Sequence, residues 1–165
     1  MVHAIMTPDG FLRLSGERYP TCFGRGGIRV DKEEGDGATP VGILPLRRVL
    51  YRADRVAPPR ASVPLEPIAP QVGWCDDMTD VAFNRMVRLP YDGRHEELWR
   101  SDHVYDVVGV LGWNDDPPVS GRGSAIFLHV STPNRQPTAG CIALDLDHLR
   151  EILAKGLTGI EVRAA

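Results

Sequence analysis

No apolar run in this 165-residue chain approaches the roughly 20 residues of a membrane-spanning helix. The N-terminus, MVHAIMTPDGFLRLSGERYP, has no basic segment followed by an apolar stretch. It therefore does not read as a signal peptide, and a cytoplasmic location is expected. Basic clusters are also missing. The net charge is −3 and the arginines are scattered, so neither nucleic acid nor a membrane surface is an expected partner. Cysteine is scarce: only Cys22, Cys75 and Cys141 occur. An odd number cannot all pair as disulfides, and none has CxxC spacing, which argues against a structural zinc site. Reduced thiols in a reducing compartment are the simplest expectation.

Cofactor motifs fail in turn. Gly24-x-Gly26 is followed by Arg29 where a dinucleotide fingerprint needs glycine, and no Gly-Lys-Ser/Thr ends a phosphate loop. His95-Glu-Glu-Leu has Trp99 where a zinc-protease helix needs its second histidine. Cys75, Asp76 and Asp77 lack a matching histidine cluster. No metal and no cofactor are expected.

Turn formers are plentiful, with 17 Gly and 14 Pro. They cut the chain into short segments, which points to a mainly β protein in a single domain over 1–165. VHAIMT and FLRLSG flank Pro8-Asp9-Gly10 as a hairpin, and VGILPLRRVLY is a strand in which Pro45 marks an edge or a bulge. MVRLP, DHVYDVVGVLGW and SAIFLHV supply further strands. Gly24 to Gly37 is a charged, glycine-rich loop and a candidate lid. RHEELWRSDHVYD reads as the polar face of a turn or short helix. The clearest helix is DLDHLREILAKGL on the C-terminal side: Leu146, Leu149, Ile152 and Leu153 share one face, Asp145 or Asp147 can cap it, and Gly156 can end it.

The chemistry concentrates in IFLHVSTPNRQPTAGCIALD, Ile126 to Asp145. Cys-Ile-Ala-Leu alone reads as a buried structural thiol, and His129 alone as a core histidine. Together with the Pro/Gly loop between them, a second reading opens. A strand ending in His129 and a return through Gly140 could bring imidazole and Cys141 thiol together. The imidazole would then take the thiol proton or stabilise a thiolate. Gly140, without a Cβ, permits close approach of backbone and substrate, and nearby amides could form an oxyanion hole.

The stretch HVSTPNRQPTAGCIAL resembles the signature of the YkuD-type L,D-transpeptidase catalytic domain: a histidine, a loop, then Ser/Thr-x-Gly-Cys and an apolar residue, here His129, Thr138, Gly140, Cys141 and Ile142. GDGATPVGILPL is similar to the Thr-Pro-x-Gly segment of such domains, and GSAIFLH to the strand entering their active site. The resemblance implies a β-sandwich or barrel with a C-terminal-side helix and a cysteine acyl-enzyme acting on peptidoglycan stem peptides or muropeptides. Cys141 would attack the carbonyl of the third stem residue, His129 would be the base, and the amides of Gly140 and Cys141 would hold the oxyanion. Read from the residues, Arg135 is either an exposed loop arginine or a carboxylate binder. Trp74 beside Asp76 is likewise either a core tryptophan next to a solvated turn or a cleft residue that receives an ammonium such as that of diaminopimelate, and Thr138 and His95 would border the groove.

The sequence departs from the family pattern at Ala139 and Ala143, which replace a usual histidine and arginine, and in its short His-to-Cys loop. Without an export signal, the expected activity is an L,D-carboxypeptidase trimming D-alanine from recycled tetrapeptides. The alternatives are an L,D-transpeptidase that crosslinks stem peptides and a non-catalytic wall-peptide binding module.

Overall fold

The computed structural model describes residues 1–165. Strands β1 (His3–Thr7), β2 (Phe11–Leu14) and β3 (Glu17–Pro20) form a meander, and β4 (Ile28–Arg29) and β5 (Thr39–Pro40) are a short parallel pair. The long β6 (Gly42–Tyr51) is followed by β7 (Leu65–Pro67), β8 (Val72–Cys75), β9 (Arg85–Arg88) and β10 (His95–Glu97). Then come β11 (Val107–Leu111), β12 (Phe127–Val130), β13 (Ile142–Leu144), α1 (Leu146–Ala154) and β14 (Gly159–Val162).

Nine strands make one mixed sheet in the order β13-β12-β11-β6-β14-β1-β2-β3, with β7 added beside β6. The two ends of this path meet. Just beyond β3, the Cys22 N–H donates to the Ala143 carbonyl of β13 at 2.8 Å, and the Ala143 N–H returns the bond at 2.9 Å. The sheet is therefore a nearly closed barrel, the mainly β architecture expected, with one C-terminal-side helix. Strands β10-β8-β9 form a separate three-stranded sheet.

Period-two alternation divides the core. Leu128 and Val130 of β12, Ile142 and Leu144 of β13, and Val107 and Leu111 of β11 join the main cluster of 21 buried residues. Phe127, Val108 and Val110 face the opposite way, into a cluster of 8 with Leu50, Ile68, Trp74, Leu98 and Tyr105. The small sheet thus covers part of the barrel's outer face. Helix α1 buries Leu149, Ile152 and Leu153 in the main cluster and ends before Gly156, whose φ is +91°. Asp145 stands at its N-cap but makes no capping bond, because Arg135 and Ser131 occupy its carboxylate.

Two expectations change in detail. β6 is not an edge strand; it pairs with β11, β14 and β7. The irregularity near Pro45 is a bulge: Val110 faces Arg48 while Leu111 faces Leu46, leaving Arg47 extra. The RHEELW segment, expected as a turn or helix, contains β10, because its backbone pairs antiparallel with β8, His95 opposite Cys75 and Glu97 opposite Gly73.

Since Ile152 is fully buried, Ile152→Ala should cost about 2–5 kcal/mol. The expected readout is a lower denaturation midpoint with an unchanged m-value; an unchanged midpoint would contradict the helix packing.

Candidate active site

His129 on β12 pairs in parallel register with Ala143 on β13. Cys141 lies two residues before Ala143, so alternation turns its side chain to the same side of the sheet as His129. That side is the barrel's outer face, where Cys141 packs against the Phe127 and Trp74 cluster. Cys141, His129 and Ala143 line one cavity of about 500 Å³. Its other walls come from the small sheet and its connections (Asp76, Arg94, Glu96, Arg100, Asp102, Tyr105) and from the 25–37 loop (Arg25, Glu34, Gly37).

The backbone around Cys141 is strapped in place. The Arg25 N–H donates to the Thr138 carbonyl at 2.8 Å, and the Thr138 N–H to the Phe23 carbonyl at 3.0 Å. The Thr138 hydroxyl donates to the Cys141 carbonyl at 2.6 Å and accepts from the Gly140 N–H at 3.1 Å. Fully buried Thr39 donates to the Gly140 carbonyl at 2.8 Å and accepts from the Gly24 N–H at 2.9 Å. This is the structural work of the Thr-Pro segment. Gly140 has φ +138°, and a Cβ there would lie 2.8 Å from the Ala38 carbonyl oxygen, so only glycine fits.

The Gly140 amide is occupied, which corrects its expected part in an oxyanion hole. The Cys141 N–H has no partner within the chain and remains available for that task.

His129 is buried, and its Nδ1 lies 2.8 Å from the Val130 carbonyl oxygen. A carbonyl can only accept, so Nδ1 carries the proton and Nε2 keeps its lone pair. Nε2 has no partner within the chain. Burial lowers the His129 pKa to about 4, with the nearby Arg100 adding to the effect and the Val130 carbonyl opposing it. The ring is neutral at physiological pH.

The Cys141 Sγ donates to the Ala125 carbonyl and accepts from the Phe127 N–H, both at 3.4 Å. Ala125 holds its carbonyl there with φ +53°, a conformation rare for a residue with a Cβ. Burial, reinforced by the Glu96 carboxylate, raises the thiol pKa to about 12. Sγ makes no hydrogen bond to His129 at rest. The two groups that line the cavity are thus a neutral thiol and a neutral imidazole, rather than a preformed thiolate–imidazolium.

The Tyr105 ring meets the His129 ring edge-on at 5.3 Å between centroids, and its hydroxyl donates to Glu96. Burial raises the pKa of Glu96 above the ordinary carboxylate range. Arg100 holds Asp102 through two bonds of 2.9 and 2.6 Å, and Arg94 reaches Asp76 at 3.2 Å.

Of the expected substrate contacts, Asp76 and Thr138 line the cavity, although the Thr138 hydroxyl is committed to bracing. Three others lie elsewhere. Trp74 is in the core, its indole N–H donating to Asn84 and its ring edge-on to Phe127. Arg135 is paired with Asp145 at 2.5 Å outside the cavity. His95 bonds the Gly93 carbonyl and packs on Tyr91; alternation along β10 presents its neighbour Glu96 to the cleft instead. Arg25, Arg94 and Arg100 escaped notice because single scattered arginines carry no periodic signal. The candidate lid loop does border the cleft, pinned by the buried Lys32–Asp36 pair at 2.6 Å and by Ser124 donating to Glu34.

An imidazole on β12 and a thiol just before the adjacent β13 line one polar cleft, and such a pair is the combination that nucleophilic acyl transfer uses. A family model for the L,D-transpeptidase catalytic domain (YkuD) matches residues 12–162, nearly the whole chain. The chain belongs to the L,D-transpeptidase catalytic-domain family, whose members are cysteine-dependent enzymes acting on peptidoglycan stem peptides. No curated protein matches the chain.

Two outcomes follow from this geometry. Thr39→Val leaves the Gly24 N–H and Gly140 carbonyl unpaired and should cost about 1–3 kcal/mol, with a matching fall in melting temperature and in activity. An unchanged melting temperature would refute the bracing. For His129 in the role of base that the resemblance implies, only the neutral ring works, so kcat/KM should be level through neutral pH and fall in acid as pH approaches about 4. A loss centred near the ordinary histidine value of about 6.5 would show that the base is less desolvated than its surroundings imply.

Proposed function

We propose that the chain is an L,D-carboxypeptidase that removes the terminal D-alanine from peptidoglycan tetrapeptides through an acyl-enzyme on Cys141. The observation that carries this reading is the register that puts Cys141 and His129 on one face, lining one cavity.

In the first step the Sγ proton passes to His129 Nε2 as sulfur attacks the carbonyl carbon of the third residue. The Cys141 N–H faces the developing oxyanion. The C–N bond then breaks, and the leaving D-alanine nitrogen takes the proton from Nε2. In the second step water gives a proton to Nε2 and attacks the thioester, and the proton returns to the departing sulfur. The Gln136 side chain, which makes no bond within the chain, lines the cavity and supports water as acceptor. The three unpaired thiols suit the cytoplasmic trimming of recycled muropeptides that we propose as its setting.

Purified protein incubated with a diaminopimelate tetrapeptide should yield tripeptide and free D-alanine by mass spectrometry. Cys141→Ala should abolish the reaction, and His129→Ala should slow it by about 10²–10⁴-fold while the protein stays folded. Crosslinked dimers without tripeptide would assign the acceptor to an amine. Bound but uncleaved peptide would assign a binding module.

A further inference from the structure

Three guanidiniums and four carboxylates line the cavity, and their pairing is uneven. Arg100 is committed to Asp102, and Arg94 reaches Asp76. Glu34 accepts from Ser124 and Glu96 from Tyr105. Lys32, behind the cavity wall, is consumed by Asp36. The side chain of Arg25 alone among these cations makes no ion pair and no hydrogen bond within the chain.

The residue is exposed, but its backbone is pinned. Its own N–H bonds the Thr138 carbonyl at 2.8 Å, on the strap that carries Cys141, and the next amide, of Gly26, bonds Gly37 at 2.8 Å. The side chain lies over Gly37, where a Cβ would come within 3.1 Å of the Arg25 Cγ and 3.7 Å of its Nη1. Gly37, with φ +67°, therefore leaves open the path that Arg25 takes along the cavity wall. A fixed backbone and an unmatched guanidinium make a fork for a carboxylate, the group that a planar two-donor face binds best.

We infer that Arg25 is a specificity determinant that binds the free α-carboxylate of the substrate's C-terminal, leaving D-amino acid, which confines the site to peptides ending one residue after the scissile bond. The inference rests on the proposed carboxypeptidase reading. The cavity's charges are mixed: Arg25 is its one cation without a partner, while Glu34 and Glu96 accept from neutral hydroxyls and keep lone pairs for the ammonium and N–H groups of the peptide. A fourth-residue amide, or a longer stem, would bring no charge to Arg25.

The test uses binding, so that it does not depend on turnover. In a Cys141→Ala background, calorimetry compares the diaminopimelate tetrapeptide acid with its C-terminal amide. The acid should bind about 10–100-fold more tightly, the range expected for a charge-assisted bidentate contact. Arg25→Ala should erase most of that ratio, and Arg25→Lys should restore part of it. Equal affinity for acid and amide, or a ratio untouched by Arg25→Ala, would overturn the inference.

A tetrapeptide with lysine in place of diaminopimelate lacks the third residue's side-chain carboxylate. If the effect of Arg25→Ala disappears with that peptide, the third residue is the anion's source and the assignment to the leaving residue falls. Wild-type protein that prefers the acid through Arg25 yet releases no D-alanine would refute the carboxypeptidase reading while leaving this contact standing.

Discussion

Two hydrogen bonds between Cys22 and Ala143 join the ends of the nine-stranded sheet, and they do so two residues beyond Cys141. Cys141 thus sits beside the point where the barrel closes. The same segment continues as Phe23, Gly24 and Arg25, bonding Thr138 from both sides and receiving Thr39 from below. Closure of the barrel, bracing of the cysteine turn and placement of a cleft cation are one contiguous arrangement. A loop in isolation would hold Cys141 over a range of positions; this strap leaves it one, and pre-positioning of the reacting atoms is a large part of what such a site contributes.

Desolvation sets the electrostatics. Burial pushes the Cys141 thiol up and the His129 imidazole down, so each group is held in its neutral form. A single proton transfer between them creates both charges at once, in a place where neither is favourable alone. The Phe127 N–H already points at sulfur, and the unpartnered Cys141 N–H is available for the oxyanion. Both donors gain strength as charge develops, which is where stabilisation accelerates a reaction. Tyr105 supports the arrangement by packing its ring against His129 and tying its hydroxyl to Glu96.

Much of this was legible in the sequence. The 126–145 stretch named the Cys–His pair, short segments between turn formers indicated a β protein, and the spacing of Leu149, Ile152 and Leu153 indicated the helix. Legibility ended where partners come from distant segments. Trp74 beside two acids reads as a core residue or as a binding edge, and only its contacts with Phe127 and Asn84 decide for the core. Arg135 looks free until Asp145, ten residues later, claims it. His95 and Glu96 are neighbours in the chain, and only the pairing of β10 with β8 determines that Glu96 faces the cleft. The RYPTCFG segment reads as a strand, but the partner of Cys22 has no local signature, because a lone bridge to a distant segment leaves no periodic pattern.

The central claim is that Cys141 carries the acyl group. Mixing the protein with a tetrapeptide, quenching in acid and mapping the digest by mass spectrometry tests it directly. The account predicts a tripeptidyl thioester on the fragment that contains Cys141, formed as D-alanine is released and lost on longer incubation. Release of D-alanine with no acyl group on that fragment, or an acyl group on Cys22 or Cys75 instead, would contradict it.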